Sequence, residues 1–225
     1  MKQAIFIFGT PGSGKGTQAN LLAWTKGFYH WDSGKELRAI LFDPANQNDP
    51  FIKKEREMNE SGILNTTSWV LGLFKKAAEK ISNAGMSIVY SGSPRTMFEA
   101  FGDAENEGLV SFLQKAYGKE NVHAFYLDIK PEIASARNTI RRTCTVCMTM
   151  IMSDAQVEKC PLCKGELSIR KDDNPETYKT RYEQYTTRTL PILEELKKQG
   201  MKIVTINADQ DPPKIFKEIL ENLNS

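Results

Sequence analysis

Ten residues near the start restrict the fold more than any others: Gly9-Thr10-Pro11-Gly12-Ser13-Gly14-Lys15-Gly16-Thr17-Gln18. They follow the short apolar run Ala4-Ile5-Phe6-Ile7-Phe8 and precede a helix-like stretch through Leu21, Leu22 and Trp24. A buried strand that feeds a glycine-rich turn into a helix start is the setting in which G-x-x-x-x-G-K cradles phosphate. Glycines let backbone N–H groups converge on an anion without Cβ interference, and the helix N-terminus adds partial positive charge. Lys15 is expected to reach the outer phosphates. Gly16 follows the lysine where Ser or Thr is common, so the hydroxyl expected to hold Mg²⁺ is that of Thr17. A glycine turn with no ligand is the plainer alternative.

A strand-turn-helix opening of this kind commits the chain to alternating strands and helices, and its 225 residues suffice for one sizeable core with room for inserted lobes. The net charge of +2 gives no global argument for a nucleic-acid or membrane partner. No apolar run approaches the roughly 18 residues of a membrane span. Met1-Lys2-Gln3 and the apolar residues after it are too short for a signal peptide, so a cytoplasmic protein is expected.

Further along, Asp32 or Ser33 is placed to cap a helix that carries Arg38, and His30 reads as structural. A charged helix is expected from Phe51 to about Glu60 and another over 66–84. The strand Met86–Tyr90 ends in Ser91-Gly92-Ser93-Pro94-Arg95-Thr96. Open α/β sheets bind ligands at the carboxyl ends of their strands, so Arg95 reads as a phosphate contact, with a plain surface arginine as the alternative. A helix near 97–116, a strand over 122–128, a helix from Pro131 to about Arg142, a helix over roughly 174–199, a strand over 202–206 and a helix over about 212–223 complete the pattern. It predicts a five-stranded parallel sheet covered by helices on both faces.

The four cysteines form two Cys-x-x-Cys pairs, Cys144 with Cys147 and Cys160 with Cys163, twelve residues apart. Two such knuckles suit a structural zinc held by four thiolates, with a pair of disulfides as the alternative. Too little apolar sequence lies between them to fold unaided, so the metal is expected to hold the segment together. Arg141 and Arg142 precede the segment and Arg170 and Lys171 follow it. Basic groups that flank a ribbon suit a cover over a nucleotide better than a face that tracks nucleic acid.

Loop, arginines and ribbon together make the chain resemble the adenylate kinases of the long, zinc-lid type, almost end to end. Gly9 to Gln18 resembles that family's phosphate loop. Asp32-Ser33-Gly34 with Leu37 and Arg38 resembles the opening of its monophosphate lobe, and Gly92, Pro94, Arg95 and Thr96 resemble its Asp-Gly-Phe-Pro-Arg-Thr loop. Arg137, Arg141 and Arg142 match the arginines before the lid. Arg170-Lys171-Asp172-Asp173 matches the stretch after it, and Arg181 the arginine on the next helix. The resemblance implies a P-loop core over 1–32, 67–139 and 174–225, a monophosphate lobe over 33–66 and a lid over 140–173. It also implies a monomeric kinase that moves a phosphoryl group from ATP-Mg²⁺ to AMP. ATP would lie on Gly12, Ser13, Gly14, Lys15, Gly16, Thr17, Arg137 and Arg141. The monophosphate would lie on Ser33, Gly34, Arg38, Gly92, Arg95, Glu99, Arg170 and Arg181. Lys15, Arg95, Arg137, Arg170 and Arg181 would act on the transferring group.

Two departures qualify the resemblance. Ser91 stands where the family has an Asp that orients the metal's waters, and Asp128 is a candidate substitute. Glu99 stands where the family has an adenine-reading Gln. An ionised carboxylate only accepts hydrogen bonds, and guanine offers two donors, so a monophosphate such as GMP is the alternative acceptor. A solvated Glu99 turned away from the base is the plain reading.

Overall fold

The computed structural model describes residues 1–152, 155–169 and 174–223. Strand β1 (Ala4–Gly9) leads through the glycine loop into helix α1 (Lys15–Lys26). Then come β2 (Tyr29–Trp31), α2 (Ser33–Leu41), α3 (Pro50–Glu60), α4 (Thr67–Asn83) and β3 (Ile88–Ser91). Helices α5 (Met97–Phe101) and α6 (Leu109–Tyr117) precede β4 (Val122–Asp128) and α7 (Pro131–Thr139). Short strands β5 (Arg142–Cys144), β6 (Met150–Ile151) and β7 (Leu167–Ile169) form an antiparallel sheet of their own, in the order β6-β5-β7. The chain closes with α8 (Pro175–Gln184), a π-helical turn (Tyr185–Thr189), α9 (Leu190–Lys198), β8 (Ile203–Asn207) and α10 (Pro212–Leu223).

The main sheet has the order β2-β3-β1-β4-β8, and each neighbouring pair is parallel. Side chains alternate across a strand, and both faces of β1 are buried. Ala4, Phe6 and Phe8 pack on one side with Tyr90, Phe74 and Leu113, whereas Ile5 and Ile7 pack on the other with Leu22, Phe125 and Ile219. An apolar run without polar alternation therefore marks the centre of the sheet. The crossovers place the loops after β1, β2 and β3 at one edge of the molecule, where the site lies.

Three helix expectations are corrected. The segment near 97–116 is two helices, because the chain reverses at Gly102 (φ 73), bridges Gly102 to Glu107 and lets Asp103 Oδ1 accept from the N–H groups of Glu105 and Asn106. The helix from Pro131 stops at Thr139, not near Arg142, so Arg142 belongs to β5. The helix over roughly 174–199 is divided by the π turn just before Pro191, whose missing N–H cannot continue an α-helical ladder.

Candidate active site

A cleft of about 510 Å³ opens over the glycine loop. Gly12, Ser13, Gly14, Lys15, Gly16 and Thr17 all line it. Gly12 has φ +85, and a Cβ there would sit 2.1 Å from the carbonyl oxygen of Ala134. Glycine is therefore required twice over, for the turn and for the approach of α7. Gly16 lies under β6: a Cβ there would meet Met150 Cε at 2.9 Å, so the small sheet rests directly on the loop.

Cations reach this cleft from five parts of the chain: Lys15 on the loop, Arg38 on α2, Arg95 after β3, Arg137 and Arg141 at the end of α7, and Arg181 on α8. Lys15 Nζ donates to the carbonyl oxygens of Gly9 (2.7 Å) and Thr10 (2.6 Å). Burial, then the positive fields of Arg181, Arg95 and Arg141, hold its pKa well below the ordinary 10.5, and Asp32 acts in the opposite direction. A buried ammonium ringed by guanidinium groups favours an incoming polyanion.

Arg95 is held firmly. Its Nε donates to Gly92 O at 2.8 Å and its Nη2 to Ser33 Oγ at 3.2 Å, and its own carbonyl accepts from Thr189 Oγ1 at 2.9 Å. Arg137 donates to Ala208 O at 2.8 Å and lies 3.7 Å from Asp209 Oδ1. Arg142 is different. Its two Nη atoms donate to the carbonyls of Val157 (2.6 Å) and Ala155 (2.5 Å), so it braces the small sheet and does not line the cleft. Arg170 lies outside the described residues, as do Lys171, Asp172 and Asp173.

A second, small cavity of about 10 Å³ shares Arg95 and Leu64 with the cleft. Leu37, Val70 and Phe74 supply apolar walls, and Ser33, Asn65 and Glu99 supply polar groups. Glu99 is only 2% exposed, which corrects the reading of a solvated residue turned away. Its Oε2 accepts from the backbone N–H of Arg95 at 2.6 Å. Burial pushes its pKa up to about 6 against the lowering effect of that hydrogen bond. Asn65 is fixed by Glu55: its Nδ2 donates to the carbonyl oxygen of Glu55 (2.8 Å) and to Glu55 Oε2 (2.9 Å).

Asp128 does not line the cleft; its Oδ1 is 3.5 Å from Tyr126 Oη at the carboxyl end of β4. Sequence reasoning missed a carboxylate that does. Asp32 lines the cleft while its Oδ1 caps α2 through Gly34 N (3.0 Å) and Lys35 N (3.2 Å). Its place directly after a strand, the signal applied to Arg95, would have found it. Two contacts of His30 were also missed: Nδ1 lies 2.7 Å from Asn20 Oδ1, and Nε2 lies 2.7 Å from Ser91 Oγ. Burial lowers the pKa of His30 and keeps the ring neutral.

The four cysteines come together at the open end of the small sheet. Their sulfurs all lie within 4.8 Å of one another, Cys144 to Cys163 at 3.4 Å and Cys147 to Cys160 at 3.6 Å. These separations exclude disulfides and approach the edge of about 3.8 Å expected for zinc-thiolate bonds of ~2.3 Å in a tetrahedron. The N–H groups of Val146 and Cys147 both point at Cys144 Sγ, 3.4 Å away, as thiolate acceptors require.

A parallel sheet in this order, a glycine loop feeding α1 and cations gathered on the loop define a P-loop phosphotransferase. The family model described as an AAA domain matches residues 8–145. The chain is 31% identical to an adenylate kinase of Desulforamulus reducens, covering 96% of this chain and 97% of that protein. It is 29% identical to an adenylate kinase of a Geobacillus species (97% of each) and 28% identical to one of Chlamydia trachomatis (98% of this chain, 90% of the other). The protein belongs to the adenylate kinase family of nucleoside monophosphate kinases.

Proposed function

We propose that the protein transfers a phosphoryl group reversibly from ATP-Mg²⁺ to AMP, giving two ADP. The observation that carries this reading is the convergence of Lys15, Arg38, Arg95, Arg137, Arg141 and Arg181 on one cleft. ATP lies with its phosphates on Gly12 to Thr17, Arg137 and Arg141. The monophosphate lies against Ser33, Gly34, Arg38, Gly92 and Arg95, with its base toward Glu99. Arg181 stands between the two, and Arg170 keeps its proposed place beside it on the strength of the resemblance alone.

Phosphoryl transfer needs no protein nucleophile, because its transition state spreads charge over oxygens that fixed cations stabilise. Each guanidinium offers a planar fork that holds phosphate in two places. Cations this close repel one another until anions arrive, so filling the site draws the 33–66 lobe and the 140–173 lid onto the core and expels water. The oxygens of Thr17 and Asp32 in the cleft form a hard donor set suited to a hydrated Mg²⁺, which when bound neutralises charge on the phosphates. Zinc on Cys144, Cys147, Cys160 and Cys163 fills all four positions and is structural. The same reading makes the protein a cytoplasmic monomer.

Glu99 favours a second reading of the acceptor. The Glu99 carboxylate is an acceptor on the wall of the inner cavity, and guanine presents two adjacent donors where adenine presents an acceptor beside its amine. ADP formation from ATP-Mg²⁺ with AMP, GMP, CMP or UMP, in the parent and in Glu99→Gln, tests both. Turnover with AMP that Lys15→Ala abolishes supports the proposal. A GMP preference that reverses in Glu99→Gln supports the second reading. No turnover with any monophosphate leaves a nucleotide-binding module and refutes both.

A further inference from the structure

The cleft is rich in hydrogen-bond donors and poor in acceptors. Six cationic side chains and the glycine loop line it, but among the described residues only two carboxylates do, Asp32 and Asp211. Asp211 is 76% exposed, and its Oδ2 is 3.5 Å from Lys214 Nζ at the start of α10. Asp32 alone of the two acts on Lys15, opposing the fall in that group's pKa.

Its position follows from the sheet. Strands β2 and β3 are parallel, with Trp31 opposite Tyr90, so the next residues, Asp32 and Ser91, leave neighbouring strands at the same level. Both line the cleft. Asp32 Oδ1 is spent on capping α2, and Oδ2 has no protein partner among the described residues. Ser91 Oγ is engaged by His30. Because Asn20 presents its carbonyl oxygen to Nδ1, that nitrogen carries the ring proton, and Nε2 accepts the hydroxyl proton of Ser91. The lone pairs of Ser91 are thereby left toward the cleft as a second, neutral acceptor.

Magnesium gives up its waters reluctantly, and those waters donate strongly to whatever acceptors surround them. We propose that Asp32 is a positioning residue for this water shell, its free Oδ2 and the adjacent Ser91 Oγ accepting from metal-bound waters at the carboxyl ends of β2 and β3. Ser91 supplies no charge, and the carboxylate comes from the neighbouring strand. This rests on the reading of the cleft as a magnesium-nucleotide site.

The test compares binding of the non-hydrolysable β,γ-imido analogue of ATP in Mg²⁺ and in EDTA by calorimetry, with the spectrum of bound Mn²⁺ by electron paramagnetic resonance. Asp32→Asn keeps an oxygen for the cap, so folding is preserved. It should lower the Mg²⁺-dependent gain in affinity about tenfold, as expected for the loss of one charge-assisted hydrogen bond. Affinity in EDTA should stay the same or tighten, because a negative charge has left an anion site. Adding Ser91→Asp returns a carboxylate at the same level and should restore the gain and the parent Mn²⁺ spectrum. An unchanged gain in Asp32→Asn, or a double variant no better than the single, overturns the proposal. Absence of any Mg²⁺-dependent gain in the parent protein would instead refute the reading of the cleft.

Discussion

Glu55 offers a quantitative test of how the monophosphate pocket is held in shape. It is fully buried on α3, and its carboxyl group reaches the start of α4. Oε2 accepts from Asn65 Nδ2 and from the backbone N–H of Thr66, each at 2.9 Å, and Oε1 accepts from Thr66 Oγ1. Glu55→Ala removes all three bonds. Asn65 Nδ2 keeps the Glu55 carbonyl at 2.8 Å, so two donors, Thr66 N and Oγ1, lose their only partner among the described residues. Each stranded donor costs about 1–3 kcal/mol, the lower end applying because Thr66 is half-buried, and the cavity adds to this, for a total of about 3–5 kcal/mol. For a chain of this size each kcal/mol lowers Tm by about 2–4 °C, so a fall of about 6–12 °C is expected from the lower figure alone. Glu55→Gln keeps one acceptor oxygen and should lose about half as much. Urea and thermal unfolding measure both variants. Because Leu64 and Asn65 line the inner cavity, KM for the monophosphate should rise in Glu55→Ala while KM for ATP changes little. A loss below about 1 kcal/mol, or an equal rise in both KM values, would refute the assignment of this network to the pocket.

Two further predictions concern the small sheet and Glu99. Metal analysis should find one zinc per chain, and a strong chelator or Cys160→Ser should unfold the β5–β7 segment first, seen as rapid hydrogen exchange there; unchanged exchange after zinc removal would contradict a structural metal. Folding raises the pKa of Glu99 from an ordinary 4.5 to about 6, so its burial costs nothing below pH 4.5, and the cost grows to about 2 kcal/mol above pH 6. Glu99→Gln should therefore be more stable than the parent at pH 7.5, with the difference closing as pH falls through 6 toward 4.5. A difference independent of pH would show that Glu99 is not the group responsible.

What the sequence disclosed, and what it withheld, follows from the range of the forces involved. The run Ala4–Phe8, the glycine loop and the Cys-x-x-Cys pairs are local patterns with local causes, and the sheet, the loop and the sulfur cluster were all legible from them. The division of the 97–116 and 174–199 segments was not, because Gly102 and Pro191 sit inside convincing apolar periodicity and each break depends on the surrounding fold. The direction of Arg142 was not legible for a related reason. Its spacing matched its neighbour Arg141, but the turn out of α7 directs the two side chains differently, one to the cleft and the other to the carbonyls of 155 and 157. The chain from Asn20 through His30 to Ser91 and the level shared by Asp32 and Ser91 join residues far apart in sequence, and only the parallel register of β2 and β3 brings them together.

The central claim is that cations from separate elements surround two nucleotides placed end to end. Its most direct test is the dissociation constant of two adenosines joined through a five-phosphate chain. The account predicts binding far tighter than that of ATP or AMP alone, one molecule per chain, weakened by more than tenfold in Arg137→Ala at one end and in Arg38→Ala at the other. Affinity no better than that of ATP, or sensitive to only one of the two arginines, would contradict it.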